Sequence, residues 1–187
     1  MNQRITTLIL IFNVILCGVW SVNRSFAQSV TIAPNKRPSD FALQYNWRRG
    51  SVPPPYHYEY SISIKSDGTG EIGMTPNYPS EKVPRWIERF TVETAKLDQL
   101  YNVLIANKLF ARSWQQEKEP RVGGDNQELI VTADGKNFSL SDYVVAEQQN
   151  EATTIYSAVN EIIPKAIWDK LNAQRERYAA RHSRQKK

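Results

Sequence analysis

Short runs of alternating apolar and polar residues, joined by sharp turn signals, constrain this chain more than any other feature. Phe41, Leu43, Tyr45 and Trp47 alternate with Ala42, Gln44 and Asn46. Tyr56, Tyr58, Tyr60, Ile62 and Ile64 share a second face, with His57, Glu59, Ser61, Ser63 and Lys65 opposite. Period two marks half-buried strands. Asp67-Gly68 is a hairpin signal, and Gly70 to Met74 returns with Ile72 and Met74 pointing inward. Gly70 and Gly73 weaken that strand and imply a bulge or a close backbone approach. After a loop marked by Pro76, Pro79 and Pro84, Trp86 to Val92 reads as a fourth strand, with Trp86, Glu88, Phe90 and Val92 on one side. Between the first two strands, Pro53-Pro54-Pro55 predicts a short extended, polyproline-like segment.

The period then changes. Thr94 suits the N-cap of a helix running to Asn107, with Leu97, Leu100, Tyr101, Leu104 and Ile105 on one face. A polar loop, Trp114 to Asp125, contains Gly123-Gly124. Glu128–Thr132 and Lys136–Leu140 form another hairpin through Ala133-Asp134-Gly135. Ile155, Ala158, Val159, Ile162 and Ile163 stripe one further helix. Pro164 suits the first turn of a last one, striped by Ile167, Trp168, Leu171 and Tyr178. The order is β-β-β-β-α-β-β-α-α. Hairpins dominate and no helix joins two strands in a parallel crossover pattern. The expected fold is a single α+β domain, a mostly antiparallel sheet with helices packed on one face.

The N-terminal segment points to export. Arg4 precedes the apolar run Ile5 to Trp20, and a polar stretch leads to Ser25-Phe26-Ala27-Gln28. This is a basic, apolar and small-x-small succession, so 1–27 reads as a signal peptide cleaved near Ala27. The sixteen-residue run, interrupted by Asn13, is short for an uncleaved spanning anchor, which needs roughly 20 residues. Leu16 beside Cys17 departs from a lipoprotein pattern. Residues 28–39 read as a disordered leader, 40–172 as the domain and 173–187 as a basic tail. The mature chain is then cysteine-free and has no disulfide, thiol nucleophile or cysteine metal site, which suits the periplasm or secretion from a bacterial envelope. The sequon Asn137-Phe138-Ser139 falls in a predicted strand and reads as chance.

Charge is divided unevenly. Residues 28–169 hold fifteen bases and eighteen acids, while 170–187 carry seven bases against Glu176. A mildly acidic body with a basic arm argues against a nucleic-acid-binding domain despite the pI of about 9.3. The tail is instead a candidate contact for an anionic surface.

Catalytic signals are thin. His57 is the one histidine before the tail, it sits beside Glu59, and no Gly-x-Ser-x-Gly elbow accompanies it. Asp67, Thr69 and Glu71 lack the Asp/Asn-rich calcium pattern and read as a turn. Gly123-Gly124 could cradle an anion through adjacent amides, without any of the usual phosphate-loop partners. No cofactor and no metal is indicated. The aromatic set Tyr45, Trp47, Tyr56, Tyr58, Tyr60, Tyr78 and Trp86 is mainly core at strand spacing, but members near the proline turn could stack on sugars or anchor a protein.

The stretch Tyr45 to Tyr60, together with Val122-Gly123-Gly124 and Ile163-Pro164-Lys165-Ala166-Ile167-Trp168, resembles a family of uncharacterised exported bacterial proteins. The resemblance spans roughly 40–172. It implies a small α+β domain and carries no activity or site. The expected function is therefore an exported, envelope-associated binding protein without catalysis. Trp47, Arg48, Arg49, Tyr56, His57 and Tyr58 would contact an envelope protein or glycan. Two alternatives stand beside it. One is a carboxylate-dependent envelope hydrolase using Glu59, Glu71 or Glu88, which for glycosidase chemistry needs two carboxyls roughly 5–9 Å apart. The other is a purely structural envelope protein.

Overall fold

Each alternating segment can bury one face and keep the other wet, and a sheet covered on one side lets all of them do so together. The computed structural model describes residues 36–119 and 123–184. Within them, the strands are β1 (Ala42–Arg48), β2 (Glu59–Ile64), β3 (Thr69–Thr75), β4 (Trp86–Thr91), β5 (Asn126–Ala133) and β6 (Lys136–Ser141). The helices are α1 (Thr94–Ala106), α2 (Gln149–Glu161) and α3 (Lys165–Arg184). The element order is the expected one. The predicted signal peptide 1–27, residues 28–35 of the predicted leader and Val122 lie outside the described residues. Among the described residues, no helix is long and apolar enough to cross a membrane.

All strands pair antiparallel in one sheet ordered β4-β3-β2-β1-β5-β6. The first four form a meander, and the chain then returns through α1 to place β5 on the free side of β1. The register puts Tyr45 opposite Ile62 and Leu129, Ile62 opposite Ile72, and Leu129 opposite Leu140. One face is thereby mostly apolar, interrupted on the edge strand β4 by Glu88. The other carries Gln44, Asn46, Ser61, Ser63, Glu71, Arg89, Glu128 and Ser139. All three helices sit on the apolar face: Phe41 meets Tyr101 of α1 at 5.3 Å, Tyr45 meets Tyr156 of α2 at 5.7 Å, and Tyr60 meets Trp168 of α3 at 5.0 Å between ring centroids. This is a single α+β domain with its core between sheet and helices, where Ile72, Met74, Leu104, Leu129, Ile155, Val159 and Leu171 are fully buried.

Several local expectations change. β2 starts at Glu59 rather than Tyr56. The prolines offer no N–H, and Tyr56 N–H instead closes a turn on the Pro53 carbonyl at 3.0 Å. The Pro54–Pro55 peptide is cis, and the segment is a turn rather than an extended run. Glu93, not Thr94, holds the N-cap position of α1, with no side-chain cap. Pro164 stands one residue before α3, where its carbonyl accepts the N–H of Ile167 at 2.9 Å. The two glycines of β3 mark close approach. A Cβ on Gly70 would lie 2.4 Å from the Phe90 ring, and one on Gly73 would lie 2.6 Å from the Arg85 guanidinium. The supposed tail boundary at 172/173 falls inside α3, which continues unbroken to Arg184.

One amide joins these layers. Asn160, in the last turn of α2, accepts from the Tyr60 hydroxyl at 2.8 Å. Its Nδ2 donates to the Tyr45 hydroxyl at 3.3 Å and to the Tyr156 carbonyl at 2.8 Å. Tyr45 donates onward to Gln127 Oε1 at 2.8 Å, and Trp168 Nε1–H donates to the Asn160 carbonyl at 3.2 Å. Removing this side chain leaves the partly buried Tyr60 hydroxyl without its partner and takes one of two from the Tyr45 hydroxyl. Asn160→Ala is expected to lower stability by about 1–3 kcal/mol, read as a shifted urea midpoint at unchanged slope.

Candidate functional site

The turn after β1 is built to meet two other loops. Arg49 N–H donates to the Tyr58 carbonyl at 2.9 Å, which closes the turn at its base. Gly50 N–H donates to Asp125 Oδ1 at 3.1 Å. A Cβ at position 50 would lie 1.8 Å from the Gly124 carbonyl oxygen, so only glycine lets these backbones approach this closely. Gly123 and Gly124 themselves adopt φ of +87° and +94° and face open space. From the other side, the Tyr78 hydroxyl donates to the Val52 carbonyl at 2.9 Å, and its ring stacks on His57 at 3.8 Å and 6°.

The three loops enclose an open cleft of about 690 Å³. Its cations come from Arg48 and Arg49, and its ring faces from His57, Tyr78 and Tyr143. Ser51, Glu59 and Asn126 add hydroxyl, carboxylate and amide groups. A smaller cavity of about 390 Å³ adjoins it on the bare sheet face and shares Arg48, Glu59 and Asn126. Among the described residues, neither Arg48 nor Arg49 lies within ion-pair distance of a carboxylate. Asp125 is engaged by the Gly50 amide, which leaves Glu59 as the acidic group in the cleft wall.

Behind the cleft, aromatic rings are stacked in series. Trp47 lies between Tyr58 at 4.8 Å and Tyr60 at 5.1 Å. The Arg49 guanidinium stands 5.8 Å from the Tyr58 centroid, and that of Arg175, from α3, stands 4.2 Å from it. Further along α3, Tyr178 meets Trp86 edge-on at 6.3 Å, and Lys170 pairs with Glu88 at 2.6 Å. The basic C-terminal segment and the aromatic turn therefore form one surface.

The six expected contact residues divide into two groups. Arg48, Arg49 and His57 line the cleft. Trp47 and Tyr58 are half-buried in the stack behind it, while Tyr56 is 55 % exposed on the turn and lines no part of the cleft. His57 is 4 % exposed rather than on a polar strand face, because the turn folds it under Tyr78. Tyr143, Asn126, Ser51 and Pro79 were not singled out from sequence. The φ of +65° that aims Tyr143 has no glycine or asparagine to announce it. The three glutamates named for hydrolysis do not converge. Glu88 is on the helix-covered face, and Glu71 lies four residues along the sheet from Glu59, roughly 13 Å, paired with Arg89 at 3.2 Å.

Burial lowers the His57 pKa below its ordinary 6.5, outweighing the attraction of nearby Glu59. Its Nδ1 is buried without a hydrogen-bond partner. Burial also raises the phenols of Tyr60, Tyr156 and Tyr45, so they act as hydrogen-bonding groups rather than acids.

No family model matches this chain, and no curated protein matches it.

Two outcomes follow from the geometry. A histidine kept neutral by folding binds fewer protons than its unfolded form, so its share of stability is intact above about pH 6.5 and falls as pH drops below that value. His57→Phe keeps the ring stack and is expected to flatten the loss of stability as pH falls below about 6.5, measured by urea unfolding at each pH. Gly50→Ala is expected to cost about 1–3 kcal/mol and to shift the amide resonances of Gly123 and Gly124.

Proposed function

We propose that this domain is a non-catalytic binding module of the bacterial envelope, exported after cleavage near Ala27, whose partner is an envelope protein or glycan. The observation that carries this reading is the convergence of three loops into a cleft that holds unpaired guanidinium groups beside exposed aromatic surface. Such a surface offers directional charged hydrogen bonds and a stacking platform, the two elements that concentrate recognition energy in small contact areas. The distance between Glu59 and Glu71, and the placement of Glu88 on the opposite face, argue against a hydrolytic pair among these three. The basic residues of α3 extend the same surface and add long-range attraction for an acidic partner.

The test is a titration of the isotope-labelled full chain with fractionated envelope glycans and with purified envelope proteins, followed at the Gly50, Gly123 and Gly124 amides. Saturable shifts at these positions support the reading; their absence across all fractions rejects it. Arg48→Ala and Arg49→Ala remove exposed side chains and are expected to leave the thermal midpoint within about 2 °C while weakening the titration. Trp47→Ala is expected to destabilise the fold by about 3 kcal/mol, because it empties the centre of the ring stack.

A further inference from the structure

Resting on the binding-module reading, we infer that the cleft takes an acidic saccharide, a pyranose chain bearing carboxylates. Three observations narrow the chemistry. First, the cleft wall holds two guanidiniums, Arg48 and Arg49, and one carboxylate, Glu59, a formal excess of one positive charge. Guanidinium forks match carboxylates bidentately. One carboxylate per sugar unit meets these forks with less repulsion from Glu59 than a phosphate dianion would.

Second, Tyr78 offers ring surface. One face is taken by His57 at 3.8 Å, yet the residue remains 44 % exposed, and its hydroxyl is tied to the Val52 carbonyl. A ring anchored at both its tip and one face is pre-organised for the apolar C–H face of a sugar. Tyr143 supplies a second aromatic group to the same cleft.

Third, the remaining polar groups suit hydroxyls. Glu59 accepts, Asn126 both donates and accepts, and Ser51 does either. The glycines at 123 and 124 have open space where side chains would stand, so the backbone of that loop is also reachable. A sugar ring presents many hydroxyls per unit area. An acidic peptide brings carboxylates without that density of hydroxyl donors, which makes the saccharide the better fit.

The experiment is calorimetry on the full chain with four probes at matched salt: a tetramer of galacturonate, a neutral tetramer of galactose, tetraglutamate and inorganic phosphate. The galacturonate tetramer is expected to bind at least tenfold more tightly than the other three. Arg48→Gln is expected to weaken it about tenfold at an unchanged thermal midpoint. Tyr78→Leu is expected to weaken both sugars together, while Tyr78→Phe retains them. Equal affinity for the neutral and acidic sugars overturns the inference, as does tighter binding of tetraglutamate or phosphate, no binding of galacturonate, or an unaffected Arg48→Gln variant. In any of these cases, saturable shifts of the Gly50, Gly123 and Gly124 amides by a different envelope component would leave the binding-module reading standing.

Discussion

Asn160 occupies the point where sheet and helices are tied together. A carboxamide has one acceptor group and two donor hydrogens, and here each finds a partner on a different element: Tyr60 of β2, Tyr45 of β1 and the α2 backbone. The Trp168 indole then brings α3 onto the same residue. Polar groups in a partly buried site stabilise only when the whole network is satisfied, so these residues hold position as a set. Tyr60 is also the ring on which Trp47 stacks, and Trp47 supports Tyr58. The back wall of the cleft thus inherits its geometry from an amide on the far side of the sheet.

The sheet's two faces divide the work. The covered face is apolar but for Glu88 and Gln127 near its rim and supplies the core. The bare face is polar, and the cleft opens where the ends of β1, β2 and β5 meet their loops. Because the loops carry no strand ladder of their own, their positions depend on a few specific contacts. Gly50 against Gly124, Tyr78 against His57 and the Tyr78 hydroxyl on Val52 fix three segments by backbone proximity, ring stacking and one hydrogen bond. The site is therefore rigid in the places that matter for recognition without being buried.

Local pattern accounted for most of the fold. Alternation fixed which residues of β1 to β4 point inward, and the two Asp-Gly signals located both tight hairpins, because register and face follow from short-range chemistry alone. The failures came where distant segments decide. Tyr56, His57 and Tyr58 continue the alternation of β2 on paper, but the proline turn consumes them before the strand begins. Burial of His57 depends on a residue 21 positions away, Tyr78. The Gly50–Gly124 contact joins segments with no local signal of each other, although Gly50 itself was visible. The basic residues after Leu171 read as a tail by charge, although Tyr178 already extends the helical stripe of Ile167 and Trp168 in the sequence, and the structure carries that stripe through Leu171, Gln174 and Tyr178. Half of the expected contact residues line the cleft because the turn is recognisable as a unit; Asn126 and Tyr143 arrive from β5 and from the loop after β6, which no nearest-neighbour rule connects to it.

The unbroken length of α3 changes what its basic residues are. Twenty residues of helix extend about 30 Å, and contacts of Trp168 and Tyr178 with the sheet and of Arg175 with the turn bind about half of that length. Arg177 and Arg181 fall on one stripe four residues apart, in line with Lys170, which is held on Glu88. A loose arm would sample many arrangements and surrender that freedom on every encounter. Here the row of cations is already lined up and its backbone ordering is complete before any encounter, so the helix works as a graduated scale of positive charge with fixed intervals.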